Sequence, residues 1–399
     1  MARRRRAKRD LLPHELVARG PIDLPYLMLL LLLLGMGVLM VMSASYAGGG
    51  ETPLAMALDQ AKYALGGLVI MYAISRYDYQ KLRFWSVVLL AVSFVLLVLV
   101  LTPLGVARNG AQRWLRMLLF AGPTYQPSEI AKVAIILFFA TSLSVRESRK
   151  PRRFDRHTPL GSLGNWAERV GLLELGYYVG ILGIFAALML FEPHMSGTVL
   201  LFVGAAAVMF VSGISLKLLF ALGGIAGVGI LGIILLQPYM RARLMGVFDT
   251  DISQMGYQSK QSLLGIGSGG LLGLGLGNSR QKYQFLPEAE NDFIFSIVVE
   301  ELGFVGGILI LALFMMFVLR GYWIALHARD RFGAMTAVGI TTLFAVQVFL
   351  NVGVVTSLLP NTGISLPFFS YGGTALIMQL AQAGIMLSIS RQIPTPKQD

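Results

Sequence analysis

Uninterrupted apolar runs of about 20 residues recur from one end of this chain to the other, and that feature decides its solvent. A run such as "LPYLMLLLLLLGMGVLMVMSAS" (24–45) has no polar face to turn toward water. Only hydrocarbon satisfies it on every side. The runs are continuous, not alternating, which excludes a single-chain β-barrel. Hydrophobic residues make up 55% of the 399 and charged residues 14%, so little sequence is left over for a soluble domain.

Ten such segments lie near 24–45, 59–75, 84–103, 126–144, 174–191, 198–213, 217–238, 292–320, 334–357 and 374–390. With the N-terminus inside, the pieces on the same side hold 23 of the 33 Lys and Arg residues. Basic residues stay on the cytoplasmic side. The expectation is an all-α integral membrane protein of about ten spans, with both termini cytoplasmic and a large extracytoplasmic loop between helices 7 and 8. The chain divides into a basic tail (1–23), a membrane domain (24–391) that includes the exterior loop 239–291, and a short tail (392–399).

The net charge of +12 and the stretch "ARRRRAKR" (2–9) raise the possibility of a nucleic-acid arm. A topology determinant explains them more simply, and no nucleic-acid partner is expected. The apolar run that follows is too long for a cleavable signal peptide. The basic loop 145–173 reads as a second determinant that touches anionic membrane lipid. There is no cysteine, so disulfides and thiolate metal sites are excluded.

Against this apolar background, "LPEAENDFIFSIVVEELG" (286–303) runs into the eighth segment and carries Asp292, Glu300 and Glu301. Carboxylates at that depth cost several kcal/mol unless they are used. On a helix, Asp292, Ser296, Glu300, Gly303 and Gly307 share one face, which borders a cavity or a neighbouring helix. An acid at a helix N-terminus also serves as a cap, so capping and catalysis stand side by side for Asp292. Glu300 and Glu301 read as hydrogen-bonded links between helices.

In "TYQPSEIAKVA" (124–134), Pro127, Ser128 and Glu129 open a helix and Lys132 follows one turn inside. Glu129 and Lys132 form a structural pair at i, i+3, or Lys132 joins Arg113 and Arg280 or Lys282 in a site for an anionic group. The exterior loop contains "QSLLGIGSGGLLGLGLGNS" (261–279), too far from any strand or Lys-Ser/Thr to be a nucleotide loop. Its glycines let backbone N–H groups approach a substrate or let a re-entrant segment pack against helices, with Gln258, Ser262 and Ser268 as polar groups beside it. "NTGISLPFFSYGG" (361–373) is an uncharged, non-helical segment that shapes the outer pocket, with Ser370 among its polar groups. Glu192 and His194 fall in a short exterior turn, and His194 reads as a satisfied turn residue.

Six stretches, "NGAQRW", "QPSEIAK", "EPHMSGT", "YQSKQSLLGIGSGGLLGLGLGNS", "LPEAENDFIFSIVVEELG" and "NTGISLPFFSYGG", occur in the order found in SEDS proteins. The chain resembles these FtsW, RodA and SpoVE peptidoglycan polymerases from the first helix onward, the division and sporulation branch more than the elongation branch. The resemblance implies an enzyme of the bacterial plasma membrane, at the division septum, that joins lipid II units and releases undecaprenyl diphosphate. It implies Asp292 as the essential acid, acting as general base or metal ligand. Arg113, Lys132, Glu129, Ser128, Gln258, Ser262, Ser268 and Ser370 are the substrate-binding candidates. A divalent cation (Mg2+ or Mn2+) is the one cofactor implied, with no organic cofactor. The partners implied are a class B penicillin-binding protein transpeptidase and other division proteins. A lipid II flippase and a non-catalytic division scaffold are the alternatives. The chain departs from the family pattern at Glu290 and Asn291, where His-Thr is usual, at Leu274, where Lys is frequent, and at His194, where Asp is common. "GGTA" (372–375) also replaces the usual "GGSS".

Overall fold

The computed structural model describes residues 20–45, 53–108, 111–116, 124–145, 172–192, 194–236, 256–283 and 285–393. Each of the ten apolar segments is a helix: α1 (Leu24–Ala44), α2 (Pro53–Arg76), α3 (Leu82–Val100), α4 (Pro127–Ser144), α5 (Leu172–Phe191), α6 (Met195–Val211), α7 (Leu216–Leu236), α9 (Ile294–His327), α10 (Arg331–Val355) and α11 (Gly373–Ser390). Six of them, α1, α3 with the short turn before it, α4, α9, α10 and α11, are long and apolar enough to cross a membrane.

Two elements lie in stretches read as loops. Residues 104–125 hold an antiparallel sheet of β1 (Gly105–Arg108), β2 (Ala111–Arg116) and β3 (Thr124–Tyr125), in that order. Strands this short carry too few residues for alternation to register. The exterior loop contains α8 (Tyr257–Ser268), whose Gly-rich composition argues against helix when read alone.

Burial separates the helices by position. About α4, 72% of the spanning window is buried, against 22% for the span that includes α3. Helix α4 is therefore enclosed by protein and α3 faces lipid, which is why α4 can carry Glu129 and Lys132.

Polar clamps tie the helix ends together on one side. Asp23 caps α1 through Tyr26 N (2.9 Å) and accepts from Arg320 Nη2 (2.7 Å) and Nε (2.9 and 3.1 Å) near the far end of α9. Arg320 lies flat over Trp323, 3.9 Å from the ring centroid. Asp330 caps α10 and accepts from Arg83 (2.7 Å) and the Tyr79 hydroxyl (2.6 Å). Asp78 accepts from Gln392 (2.8 Å). All these groups sit at the end of the bundle opposite Asp292.

Helix α9 is broken on the Asp292 side. Gly303 has φ 75° and ψ 179°, a conformation open essentially to glycine alone. The break frees backbone groups that a bilayer cannot satisfy. The Gly-rich segment after α8 takes them up: Leu274 N and Gly275 N donate to the carbonyls of Glu300 and Glu301 (3.0 Å each), while Phe304 N and Val305 N donate to those of Gly270 (2.9 Å) and Leu271 (3.2 Å). A Cβ on Gly273 would stand 2.2 Å from the Glu301 carbonyl oxygen, so only glycine permits the approach.

The two glutamates secure the same segment with their side chains. Glu300 accepts from Ser279 Oγ, Arg280 N (2.9 Å) and Ser268 Oγ (3.3 Å). Glu301 accepts from Ser43 Oγ (2.7 Å) and Ser279 N (3.3 Å), and pairs with Lys282 at 3.5 Å. Their depth is thus explained by the loop they hold, as the link role expected.

Candidate functional site

Asp292 lies in the turn just before α9. The N-cap position belongs to Phe293, with no side-chain cap, so the capping reading of Asp292 does not hold. Its backbone is held from two sides. Asn351 Nδ2, from α10, donates to the Asp292 carbonyl (2.9 Å) and to that of Ile364 (2.6 Å). Ser370 Oγ donates to Asn291 O (2.6 Å) and accepts from Leu366 N (2.7 Å), and Tyr371 N donates to Glu290 O (2.8 Å). The 361–371 segment is in this way laced to residues 290–292. Ser370→Ala should cost about 1–3 kcal/mol, because it leaves the Leu366 amide and Asn291 carbonyl without that partner. Thermal melting in detergent checks this, and an unchanged midpoint would count against the lacing.

At Gly363 (φ 70°) the segment passes directly over the acid. A Cβ there would lie 3.2 Å from Asp292 Oδ2 and 4.0 Å from Arg113 Nη1, so carboxylate and guanidinium converge on one point. Arg113 comes from β2, and its Nε donates to the Glu192 carbonyl (3.4 Å) in the turn between α5 and α6. The Glu192 carboxylate is buried, and neither oxygen has a hydrogen-bond partner among the described residues. Burial pushes Glu192 up to about 8, with Arg113 opposing the shift.

His194 completes this wall. Gln126 Nε2 lies 3.3 Å from His194 Nε2. Burial first, then Arg113 and Lys132, push the imidazole below its ordinary range. A neutral ring that accepts from Gln126 carries its proton on Nδ1, an atom buried without a partner among the described residues. Lys132 pairs with Glu129 at 2.7 Å, both buried, and the Ser128 hydroxyl beside them is buried with no hydrogen-bond partner among the described residues.

The linkage of Glu192 has a definite sign. The folded protein keeps the proton up to about pH 8, whereas the unfolded chain releases it near 4.5. Stability therefore falls as pH rises through that window, by a few kcal/mol at most. Glu192→Gln should flatten this decline, measurable as melting temperature at pH 5, 6.5 and 8. A wild-type curve already flat would refute the assignment.

The structure brings Asp292, Arg113, Lys132, Glu129 and Ser128 to one end of the bundle. It corrects other expectations. Ser262 is fully buried, bonded to Ser296 Oγ (2.6 Å) and Val355 O (2.6 Å), and Ser268 bonds Gly265 O and Glu300, so both hydroxyls fasten α8 to its neighbours. Ser370 fastens backbone, as described above. Gln258 accepts from Asn361 Nδ2 (2.6 Å), tying α8 to the 361–371 segment. Lys282 pairs with Glu301 and donates to Gly277 O (2.6 Å) instead of joining Lys132. Sequence reasoning missed Glu192 as more than a turn residue, and it missed Asn351 and Gly363. The signal for Asn351 was an amide, one of two with Gln347, in the apolar run "AVQVFLNVGVV" (345–355).

Among the described residues, no three His, Asp or Glu side chains are grouped as a metal site. A cation held by protein ligands alone does not fit them.

A mostly helical, polytopic membrane protein with an acid and two cations gathered at one end of its helices is the class these features define. The chain belongs to the family of FtsW, RodA and SpoVE cell cycle proteins, whose profile matches residues 24–394. It is 39% identical over 378 residues to stage V sporulation protein E of Bacillus subtilis (strain 168), covering 92% of this chain and 97% of that one. It is 36% identical over 337 residues to a probable peptidoglycan glycosyltransferase FtsW of Geobacter sp. (strain M18), covering 84% and 86%. Its fold matches a solved structure described as "Structural coordination of polymerization and crosslinking by a peptidoglycan synthase complex", with TM-score 0.73, 26% identity and coverage of 95% and 99%. It also matches the rod shape determining protein RodA of Thermus thermophilus, with TM-score 0.64, 25% identity and coverage of 96% and 100%.

Proposed function

We propose that this protein is a peptidoglycan glycosyltransferase that polymerises lipid II at the outer face of the bacterial plasma membrane. The observation that carries this reading is the convergence of the Asp292 carboxylate and the Arg113 guanidinium at Gly363, a base beside a cation. The names of the relatives support the same reading.

The donor is an α-linked diphosphate and the product linkage is β, so one displacement suffices. The acceptor 4-hydroxyl oxygen forms a bond to the anomeric carbon as the bond from that carbon to the diphosphate oxygen breaks. Asp292 takes the hydroxyl proton. The electron pair leaves with undecaprenyl diphosphate, whose charge faces Arg113 and Lys132. Glu129 orients Lys132, and the neutral His194 adds no charge of its own, so Arg113 and Lys132 are the cations that face the diphosphate.

The role is in division or spore wall synthesis at the septum, alongside a class B penicillin-binding protein. The similarity to a chain from a complex described as coordinating polymerization and crosslinking supports such a partner. Purified protein, with and without that partner, should convert lipid II into glycan strands on a gel. Translocation of lipid II across liposomes with no glycan formed would favour a flippase instead. Below the break, 302–319 of α9 carries no charge to line a polar path through the bilayer.

A further inference from the structure

The segment that repairs α9 has a side that neither the repair nor the site uses. Leu271, Leu272 and Leu276 are 70%, 82% and 65% exposed, although their backbone is held tightly. Besides the four bonds to α9, Gly273 N donates to Gly269 O (2.8 Å), Asn278 Nδ2 to Leu274 O (3.0 Å) and Asn278 N to Gly275 O (3.1 Å). Non-helical backbone survives at membrane depth only when its polar groups are satisfied by protein, and here the neighbouring helix supplies the partners.

The depth of this lip follows from α9. The helix has 34 residues, roughly 50 Å at 1.5 Å per residue, so part of it stands outside a core of about 30 Å. Arg320, paired with Asp23 and stacked on Trp323, marks one boundary. The Gly303 break, 17 residues back toward Asp292 and roughly 26 Å along the helix at 1.5 Å per residue, marks the other. The lip is bonded to that break. Its leucines continue the exposed apolar side of α9, where Phe304, Val305, Ile308 and Leu309 are 57%, 47%, 49% and 61% exposed. Beyond the lip the exposed residues become Asn278, Arg280, Tyr283 and Phe285, the polar and aromatic mixture of a membrane–water interface.

We propose that residues 271–276 are a non-helical lip seated in the edge of the bilayer hydrocarbon on the Asp292 side, with Leu271, Leu272 and Leu276 in contact with lipid acyl chains. The lip is thereby an anchor: it fixes the height of the Gly-rich segment, and through Glu300 and Glu301 the height of the turn that bears Asp292. This surface is independent of the catalytic reading and is tested without a turnover assay.

The chain has no cysteine, so single cysteines can be introduced and labelled directly. Leu272→Cys and Leu276→Cys would each carry an environment-sensitive fluorophore in the full chain, reconstituted in phosphatidylcholine vesicles. Leu309→Cys serves as the lipid reference and Asn278→Cys as the boundary reference. The expected result is quenching by doxyl-labelled lipid comparable with Leu309, and quenching by aqueous iodide several-fold weaker than at Asn278. Iodide quenching equal to that at Asn278, with doxyl lipid ineffective, would overturn the proposal. So would protection from both quenchers, which would mean that protein covers the lip.

Discussion

Asp292→Asn is expected to stop glycan synthesis, lowering the turnover rate by about 10²–10⁴, the usual contribution of a positioned general base. Asparagine has the same shape and retains an oxygen beside Gly363, but it cannot take the acceptor proton. The contacts that hold the turn are made by backbone atoms of Asn291 and Asp292, which the substitution leaves in place. The variant should therefore melt with the wild type. Loss should fall on kcat with KM little changed, because the interaction is made in the transition state. Glu290→Gln is the control. Burial holds that nearby carboxyl above its ordinary range, and its tie to the 361–371 segment is made by its backbone carbonyl, which the substitution leaves in place. A folded Asp292→Asn variant that polymerises lipid II at the wild-type rate would remove Asp292 from the mechanism.

Gly303→Ala should be strongly destabilising. Two costs coincide. Alanine at φ 75° and ψ 179° carries backbone strain of about 1–3 kcal/mol. The new Cβ would also lie 2.3 Å from Leu271 O, a backbone atom that cannot rotate away, adding overpacking of about 1–3 kcal/mol. The sum, about 2–6 kcal/mol, is comparable with the whole stability of many domains. Gly267→Ala in α8 is the matched control, since a Cβ there meets nothing within 4 Å. Detergent melting curves of the two variants should separate widely, and similar midpoints would mean that the break relaxes without loss.

The helices were legible because their signal is long: ten apolar runs gave ten helices with ends displaced by only a few residues for most. The largest error is at α9, which runs on to His327 past the expected end at 320, with Arg320 lying within the helix and paired with Asp23. The sheet was invisible because β1, β2 and β3 are short strands of a local meander, with too few residues each for an alternating pattern to register. In the candidate site, Asp292 and Lys132 drew notice because a charge at the edge of an apolar run is conspicuous, and Arg113 as a cation that could join them. Gly363 and Asn351 did not, since their importance lies in backbone contacts made by distant elements. The serines Ser262 and Ser268 misled for the opposite reason: a hydroxyl looks like a ligand until its backbone partners are seen.

The exchange of hydrogen bonds between the Gly-rich segment and α9 also constrains biosynthesis. Residues 269–283 leave the ribosome before Gly303 and the amides of Phe304 and Val305, so neither half has its partners when it first meets the membrane. Inserted alone, the broken turn of α9 would bring bare carbonyls and amides into lipid, at several kcal/mol for each unsatisfied group. The two stretches must therefore leave the insertion machinery as a pair, already bonded. For this protein the smallest unit that can be delivered to the bilayer on that side is a helix together with the loop that precedes it.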